Sequence, residues 1–189
     1  EEDSYMYHIP NIKLTELQSK AIGIPLIKKE THGDKDQEIK DLKNVLKEMN
    51  VDGVISGAVE SEYQKQRIEE ICKDLELELY SPLWHEKPEK ILKEIINAGF
   101  EVLITGISAY GFDKSYLGRK MDKKLLKDLK RLNKEYKVHI AGEGGEFETT
   151  VIDGPIFNKK IEIKKSKKEW DNINYRGRME IEKANLIKK

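Results

Sequence analysis

Glu143, Glu146 and Glu148 stand among Gly142, Gly144 and Gly145 in the stretch Ala141 to Pro155, A-G-E-G-G-E-F-E-T-T-V-I-D-G-P. Glycine lets a backbone adopt positive φ and approach a ligand closely. Carboxylates crowded on one turn repel each other unless a cation, an amine or a donor-rich ligand lies between them. A plain glycine hairpin with glutamates facing water is the simpler reading. The density of acid and glycine, followed by Phe147 and an apolar Thr150-Val151-Ile152, favours a binding site.

A second candidate is Gly57 to Arg67, G-A-V-E-S-E-Y-Q-K-Q-R. A small-residue turn runs into Ser61, and Ser61-Glu62-Tyr63-Gln64 fits a capping box. The free amides and dipole of a helix N-terminus suit an anion such as phosphate. Arg67 has the planar fork to join it, although the same spacing equally fits a capped helix whose arginine pairs with a nearby acid. Neither G-x-x-x-x-G-K-[ST] nor G-x-G-x-x-G occurs. Two further stretches are aromatic: Pro82-Leu83-Trp84, where packing is the first reading and stacking on a ligand the second, and a loop from Ser108 to Arg119. The four histidines form no i, i+4 pair and no H-E-x-x-H, so no transition-metal site is expected.

The elements that must position these residues follow from periodicity. Thr15 to Ile22 reads as a helix stopped by Gly23, and Ile24 to Ile27 as a short buried strand. Apolar residues at Ile39, Leu42, Val45, Leu46 and Met49 give a helix over Asp36 to Met49. Strands are expected at Gly53–Gly57, Leu77–Tyr80, Glu101–Ile107 and Val138–Ala141. The helices between them are opened by Ser61, Pro88 and Asp122. Strand and helix alternate as in βαβ units, which build a parallel sheet with helices on both faces. Ligands bind such sheets beyond the carboxyl ends of the strands, so the four candidate stretches are expected at one edge. After Phe147 the rhythm changes. Thr149–Ile152, Lys160–Ile163 and Met179–Ile181 read as strands of an antiparallel appendage.

Totals narrow the classes. The chain has 189 residues, with 35 Lys plus Arg balanced by 35 Asp plus Glu. That balance argues against direct nucleic-acid binding. Charged residues reach 37%, above the roughly one quarter usual for soluble domains, and the Lys, Glu and Ile excess is that of heat-adapted proteins. The single cysteine, Cys72, excludes a disulfide framework and reads as a small core residue. No apolar run approaches the ~20 residues that cross a bilayer, and the first residues lack a secretory signal. A cytoplasmic protein is expected.

Taken together, these stretches resemble the diphthine–ammonia ligase (diphthamide synthetase) family. The matching residues are Ser4-Tyr5-Met6-Tyr7-His8 with Pro10-Asn11, Leu14 through Gln18, Gly57-Ala58 with Ser61, Tyr63-Gln64 and Arg67, Pro82-Leu83-Trp84, Leu117-Gly118-Arg119, and Gly142 through Pro155. The resemblance runs from Ser4 to about Trp170, and E-G-G-E-F-E-T is its most specific part.

The resemblance implies a Rossmann-like (HUP-type) α/β domain of the ATP pyrophosphatase class over residues 1–107. A small C-terminal α+β domain that binds substrate would span 108–189. It implies ATP-dependent amidation of diphthine on translation elongation factor 2, with ammonium as nitrogen source, Mg2+ as cofactor, and AMP and pyrophosphate released. An archaeal, thermophilic source and a homodimer are further expectations. Gly57, Ala58, Ser61 and Arg67 would approach the nucleotide, and Met6 and His8 would border adenine. Glu143, Glu146 and Glu148 would bind the substrate cation or ammonium, or accept its proton. Tyr63, Gln64, Trp84, Arg119, Gly144, Gly145 and Thr149 would line the substrate, with no protein-held metal. The family carries a loop, S-G-G-K-D-S, near its start; this sequence does not contain it, and the reading expects it upstream of Glu1. Amidation of another carboxylate, or a non-catalytic nucleotide- or factor-binding module, are the alternatives.

Overall fold

The computed structural model describes residues 11–31 and 35–189; Met6 and His8 lie outside them. The described residues form two compact units, one holding residues 27–31 and 35–86 and the other residues 11–26 and 87–189.

In the first unit, α2 (Lys35–Glu48) precedes β1 (Gly53–Ile55), α3 (Glu62–Asp74) and β2 (Glu78–Tyr80). The two strands pair in parallel, Val54 opposite Leu79 and Ile55 opposite Tyr80. The helical crossover between them is the expected βαβ unit. Ile71 and Cys72 are the buried face of α3, which the spacing of its apolar residues predicts.

The second unit is a four-stranded antiparallel sheet, in the order β4 (Phe147–Asp153), β3 (Glu101–Ser108), β6 (Arg176–Lys188), β5 (Lys159–Asp171). Side chains alternate across a strand. Val102 and Ile104 of β3 therefore share a face, the irregularity between Ile104 and Gly106 brings Ile107 onto it, and all three join Leu125, Leu126, Leu129 and Leu132 of α5 (Lys123–Tyr136), with Leu92 of α4 (Pro88–Asn97), in one core. Each such side chain stabilises by about 1.5–3 kcal/mol on burial. The opposite face receives Leu14 and Ala21, from the start and end of the α1 region (α1, Thr15–Ile22), against Ile152, Phe157 and Ile161. The Gln18 amide donates to the Val151 carbonyl at 2.8 Å and fixes α1 on the sheet.

Start and stop signals behave as their chemistry dictates. Gly23 ends α1 at φ 84°, Ser61 Oγ accepts from the Gln64 N–H at 3.4 Å, and Asp122 Oδ1 accepts from the Leu125 N–H at 2.7 Å. Pro88 opens α4.

Three expectations are corrected. The sheet is not one parallel layer: β3 has antiparallel partners in the second unit, and only β1 and β2 pair in parallel among the described residues. The two units part between Glu86 and Lys87, which keeps β3 with the strands it pairs with. Ile24 to Ile27 is not a buried strand; Ile24 and Ile27 are 61% and 54% exposed, and Pro25 brings no N–H to a ladder. Val138 to Ala141 forms no strand either. Lys137 closes α5 at φ 62°, and the next residues bond to the His139 imidazole instead of to a neighbouring strand.

Candidate functional site

The acidic turn is assembled from its own residues. His139 Nδ1 accepts from the Ala141 and Glu143 N–H groups, each at 3.2 Å. This fixes Nδ1 as the proton-free nitrogen of the ring. The His139 N–H donates in return to Glu146 Oε1 at 2.7 Å. Gly142 adopts φ 77°, and a Cβ there would lie 2.8 Å from the Phe147 carbonyl oxygen. At Gly144 a Cβ would meet both Glu146 carboxylate oxygens at 2.9 Å, so only glycine lets that carboxylate fold over the bend.

The strand expected over Val138–Ala141 would have placed His139 in a ladder. His139 is structural instead as the organiser of the turn. An imidazole two to four residues before the amides it accepts from is a local pattern that periodicity does not register.

Glu143 differs from the other two glutamates, each of which shields its Oε2 from solvent. Glu143 is exposed. Glu146 is half-buried; its Oε2 is fully shielded from solvent and accepts no hydrogen bond. A buried acceptor left in that state is costly, about 1–3 kcal/mol or more for a charged group, and invites a donor or a cation. Glu148, on β4, lies against Gly106 of β3, where an added Cβ would come within 3.2 Å of its Oε2.

The antiparallel register explains why the aromatic loop reaches this turn. The end of β3 runs beside the start of β4, Ile107 opposite Phe147, and the Ser108 N–H donates to the Glu146 carbonyl at 2.9 Å. Phe112, just beyond β3, packs on Phe147 with ring centroids 6.0 Å apart. Thr149 is exposed further along β4, opposite Ile104. Arg119 also lies beside Ile104 rather than at the turn, since the Ile104 N–H donates to its carbonyl at 3.0 Å. Its guanidinium is engaged by Asp128 at 2.8 Å and by the Tyr116 ring at 4.8 Å.

In the first unit the loops after β1 and β2 are tied together at their carboxyl ends. The Ser56 N–H donates to the Tyr80 carbonyl and the His85 N–H to the Val59 carbonyl, both at 2.9 Å. Gly57 is open, with nothing near the site of a Cβ, whereas Ala58 and Val59 are buried. Ser81 Oγ, directly after β2, is buried without a hydrogen-bond partner; nothing in its sequence context marks it. Tyr63 and Gln64 sit in the first turn of α3. Arg67 bonds Glu70 at 3.0 Å and lies over the Tyr63 ring at 5.5 Å, and these contacts hold it firmly protonated. Trp84 stacks on His85 at 4.5 Å and carries Lys65 Nζ 4.4 Å from its centroid.

Two family descriptions match in tandem: Diphthamide synthase N-terminal domain over residues 1–79 and Diphthamide synthase C-terminal domain over residues 87–187. The chain belongs to the diphthamide synthase family. A relative from Danio rerio named Diphthine–ammonia ligase is 37% identical over 180 residues, covering 86% of this chain and 70% of its own. The proteins of that name from Homo sapiens and Bos taurus are each 34% identical over 182 residues, covering 88% of this chain and 68% of theirs. The family places the chain among ligase enzymes. The gap between the two matched segments, residues 80–86, coincides with the end of the first compact unit at Glu86.

Proposed function

We propose that this protein amidates diphthine on translation elongation factor 2, using ATP and ammonium. The observation that carries this reading is the acidic turn, where one oxygen of Glu146 is bonded and the other is buried and accepts nothing. The relatives' shared name supplies the substrate class.

The chemistry needs two steps. A carboxylate is a poor acyl donor at neutral pH, so its oxygen first attacks the α-phosphate of ATP. That forms an acyl-adenylate and releases pyrophosphate. Ammonia then adds to the acyl carbon, the carbon–oxygen bond to AMP breaks, and a proton leaves the nitrogen. Magnesium bound with ATP would spread the phosphate charge.

Roles follow from position. Glu146 Oε2 holds ammonium or takes its proton at the second step, and Glu143 and Glu148 add negative potential for a cationic substrate. Gly144 and Gly145 leave the approach to that carboxylate open, and Thr149 flanks it on β4. In the first unit, Gly57 and Ala58 give the nucleotide close backbone approach, and Ser61 with Tyr63 and Gln64 shapes the α3 N-terminus beside it. Arg67 reaches a phosphate by exchanging Glu70, an exposed partner. Trp84, already covered by Lys65 and His85, serves the rim of that site rather than the substrate cation; Arg119 braces the sheet through Asp128. We place the first unit in a Rossmann-like, HUP-type nucleotide domain and the enzyme in the cytoplasm.

The test is to incubate the protein with ATP, ammonium and elongation factor bearing diphthine, and to measure AMP. AMP that appears only with the diphthine form supports the reading. AMP formed equally with an unrelated carboxylate points to a different amidation, and nucleotide binding without AMP in any mixture contradicts the reading.

A further inference from the structure

Just past the end of β3, Tyr110 stands nearly perpendicular to two other tyrosines. Its ring centroid is 5.1 Å from that of Tyr136 at 84°, and 4.6 Å from that of Tyr175 at 76°. All three are solvent-accessible; Tyr110 is 58% exposed and leads the group.

The fold goes to some length to assemble this cluster. Tyr136 is the last residue of α5 and packs on the backbone of Gly111, where a Cβ would lie 2.4 Å from its ring. Gly111 itself turns at φ 94°. Tyr175 adopts φ 51°, a region that a bulky aromatic rarely enters. The bend before it is held by Asp171, whose Oδ1 accepts from the Ile173 N–H at 2.8 Å and whose Oδ2 accepts from the Asn174 amide at 2.6 Å. Strain of this kind persists where surrounding structure imposes it.

The cluster and the acidic turn are neighbours through Ser108. Its N–H bonds the Glu146 carbonyl, and across the sheet it pairs with Arg176, the residue after Tyr175. Tyr110 is two residues further along the chain. Tyr136 is three residues before His139, the organiser of the turn.

The protein's own cations distinguish these rings from others. Among the described residues, Lys65 lies over Trp84, Arg67 over Tyr63 and Arg119 over Tyr116, and none lies over Tyr110, Tyr136 or Tyr175. Exposed electron-rich rings with no cation of the described residues on them, one backbone hydrogen bond away from an acidic turn, match the chemistry of a quaternary ammonium group.

We propose that Tyr110, backed by Tyr136 and Tyr175, seats the trimethylammonium group of diphthine, while the acyl end of the substrate lies toward Glu146. This rests on the amidation reading above and names the part of the site that recognises the substrate's fixed positive charge. Such a seat suits a cation that cannot donate hydrogen bonds, for which a carboxylate alone gives little geometric selection.

Steady-state kinetics with diphthine-bearing elongation factor test it. Tyr110→Ala should raise KM for the factor about 2- to 30-fold, the span of cation–π energies, with kcat and KM for ATP unmoved. Tyr110→Phe, which keeps the ring face and loses the hydroxyl, should restore the wild-type KM. Wild-type KM in Tyr110→Ala, or equal loss in both variants, overturns the proposal. A second measurement does not depend on turnover: binding of a short peptide bearing a trimethylammonium side chain, against the same peptide with a neutral tert-butyl group. Preference for the cation that disappears in Tyr110→Ala supports the seat, and equal binding of the two peptides refutes it. If the wild type amidates nothing yet shows that preference, the amidation reading fails and the seat stands.

Discussion

The His139 N–H donates to Glu146 Oε1 at 2.7 Å, while the His139 imidazole accepts the Glu143 N–H at 3.2 Å. One residue therefore fixes both the carboxylate proposed to act and the backbone that carries its neighbour. Catalytic carboxylates gain from such support, since an unheld side chain must be ordered at each turnover. The pair also separates a structural oxygen, Oε1, from a buried one that accepts nothing, Oε2.

That separation predicts different outcomes for two substitutions. In Glu146→Gln the amide oxygen can still accept from His139, so the fold should hold and amidation should fall at least about 100-fold, the size typical of a lost general base. Glu146→Ala removes the acceptor as well and leaves the His139 N–H without it, so it should unfold at lower urea than Glu146→Gln. Turnover assays beside urea unfolding check both.

Gly142→Ala should destabilise the protein more than Gly145→Ala. Both positions have positive φ, at 77° and 78°, but only at Gly142 does a new Cβ meet a backbone carbonyl, at 2.8 Å. We expect about 1–3 kcal/mol at Gly142 from strain of this order, and a smaller loss at Gly145, in the same unfolding measurement.

Glu101, at the start of β3, bridges Lys160 at 2.8 Å and Lys120 at 3.0 Å. The bond from Lys160 is the main reason its carboxyl sits below the ordinary range, with Lys120 adding to the effect against the opposing influence of burial. A depressed folded value contributes stability that is present above the unfolded value, ~4.3 for glutamate, and is lost as pH falls through the folded one. Partial exposure limits the gain to about 0.5–1 kcal/mol. Wild type should exceed Glu101→Gln by that amount near neutral pH, and the gap should close below about pH 4. A gap that widens with acid would contradict the assignment.

The Cys72 thiol is buried on α3, and burial pushes its pKa upward. It should react with iodoacetamide at neutral pH only at the rate of unfolding. Mass spectrometry of native protein should show negligible alkylation over the time in which denatured protein is fully modified.

Much of this was legible in the residues. Helix α2 followed from apolar spacing, the starts of α3, α4 and α5 from Ser61, Pro88 and Asp122, the end of α1 from Gly23, and the antiparallel C-terminal strands from the change of rhythm after Phe147. Strand direction was not legible. Glu101–Ile107 reads the same whether its neighbours run parallel or antiparallel, because burial on both faces erases the alternation that marks a half-exposed strand. Val138–Ala141 misled for a different reason: its apolar residues are held by a side chain, His139, which offers the backbone an alternative to a ladder. The glycines and glutamates of the turn were readable as a cluster, but the division of Glu146 into a bonded and an unbonded oxygen needed coordinates. The tyrosines were hidden too, since Tyr110 follows β3, Tyr136 ends α5 and Tyr175 lies in the turn between β5 and β6, far apart in sequence.

The most direct measurement uses isotopically labelled ammonium. Elongation factor bearing diphthine is incubated with the full chain, ATP and magnesium, and the modified histidine peptide is analysed by mass spectrometry while AMP is counted. The account predicts one labelled nitrogen replacing one carboxyl oxygen, with one AMP released per peptide converted, and neither event with Glu146→Gln. Stoichiometric AMP without label in the peptide, or full labelling by Glu146→Gln, would contradict it.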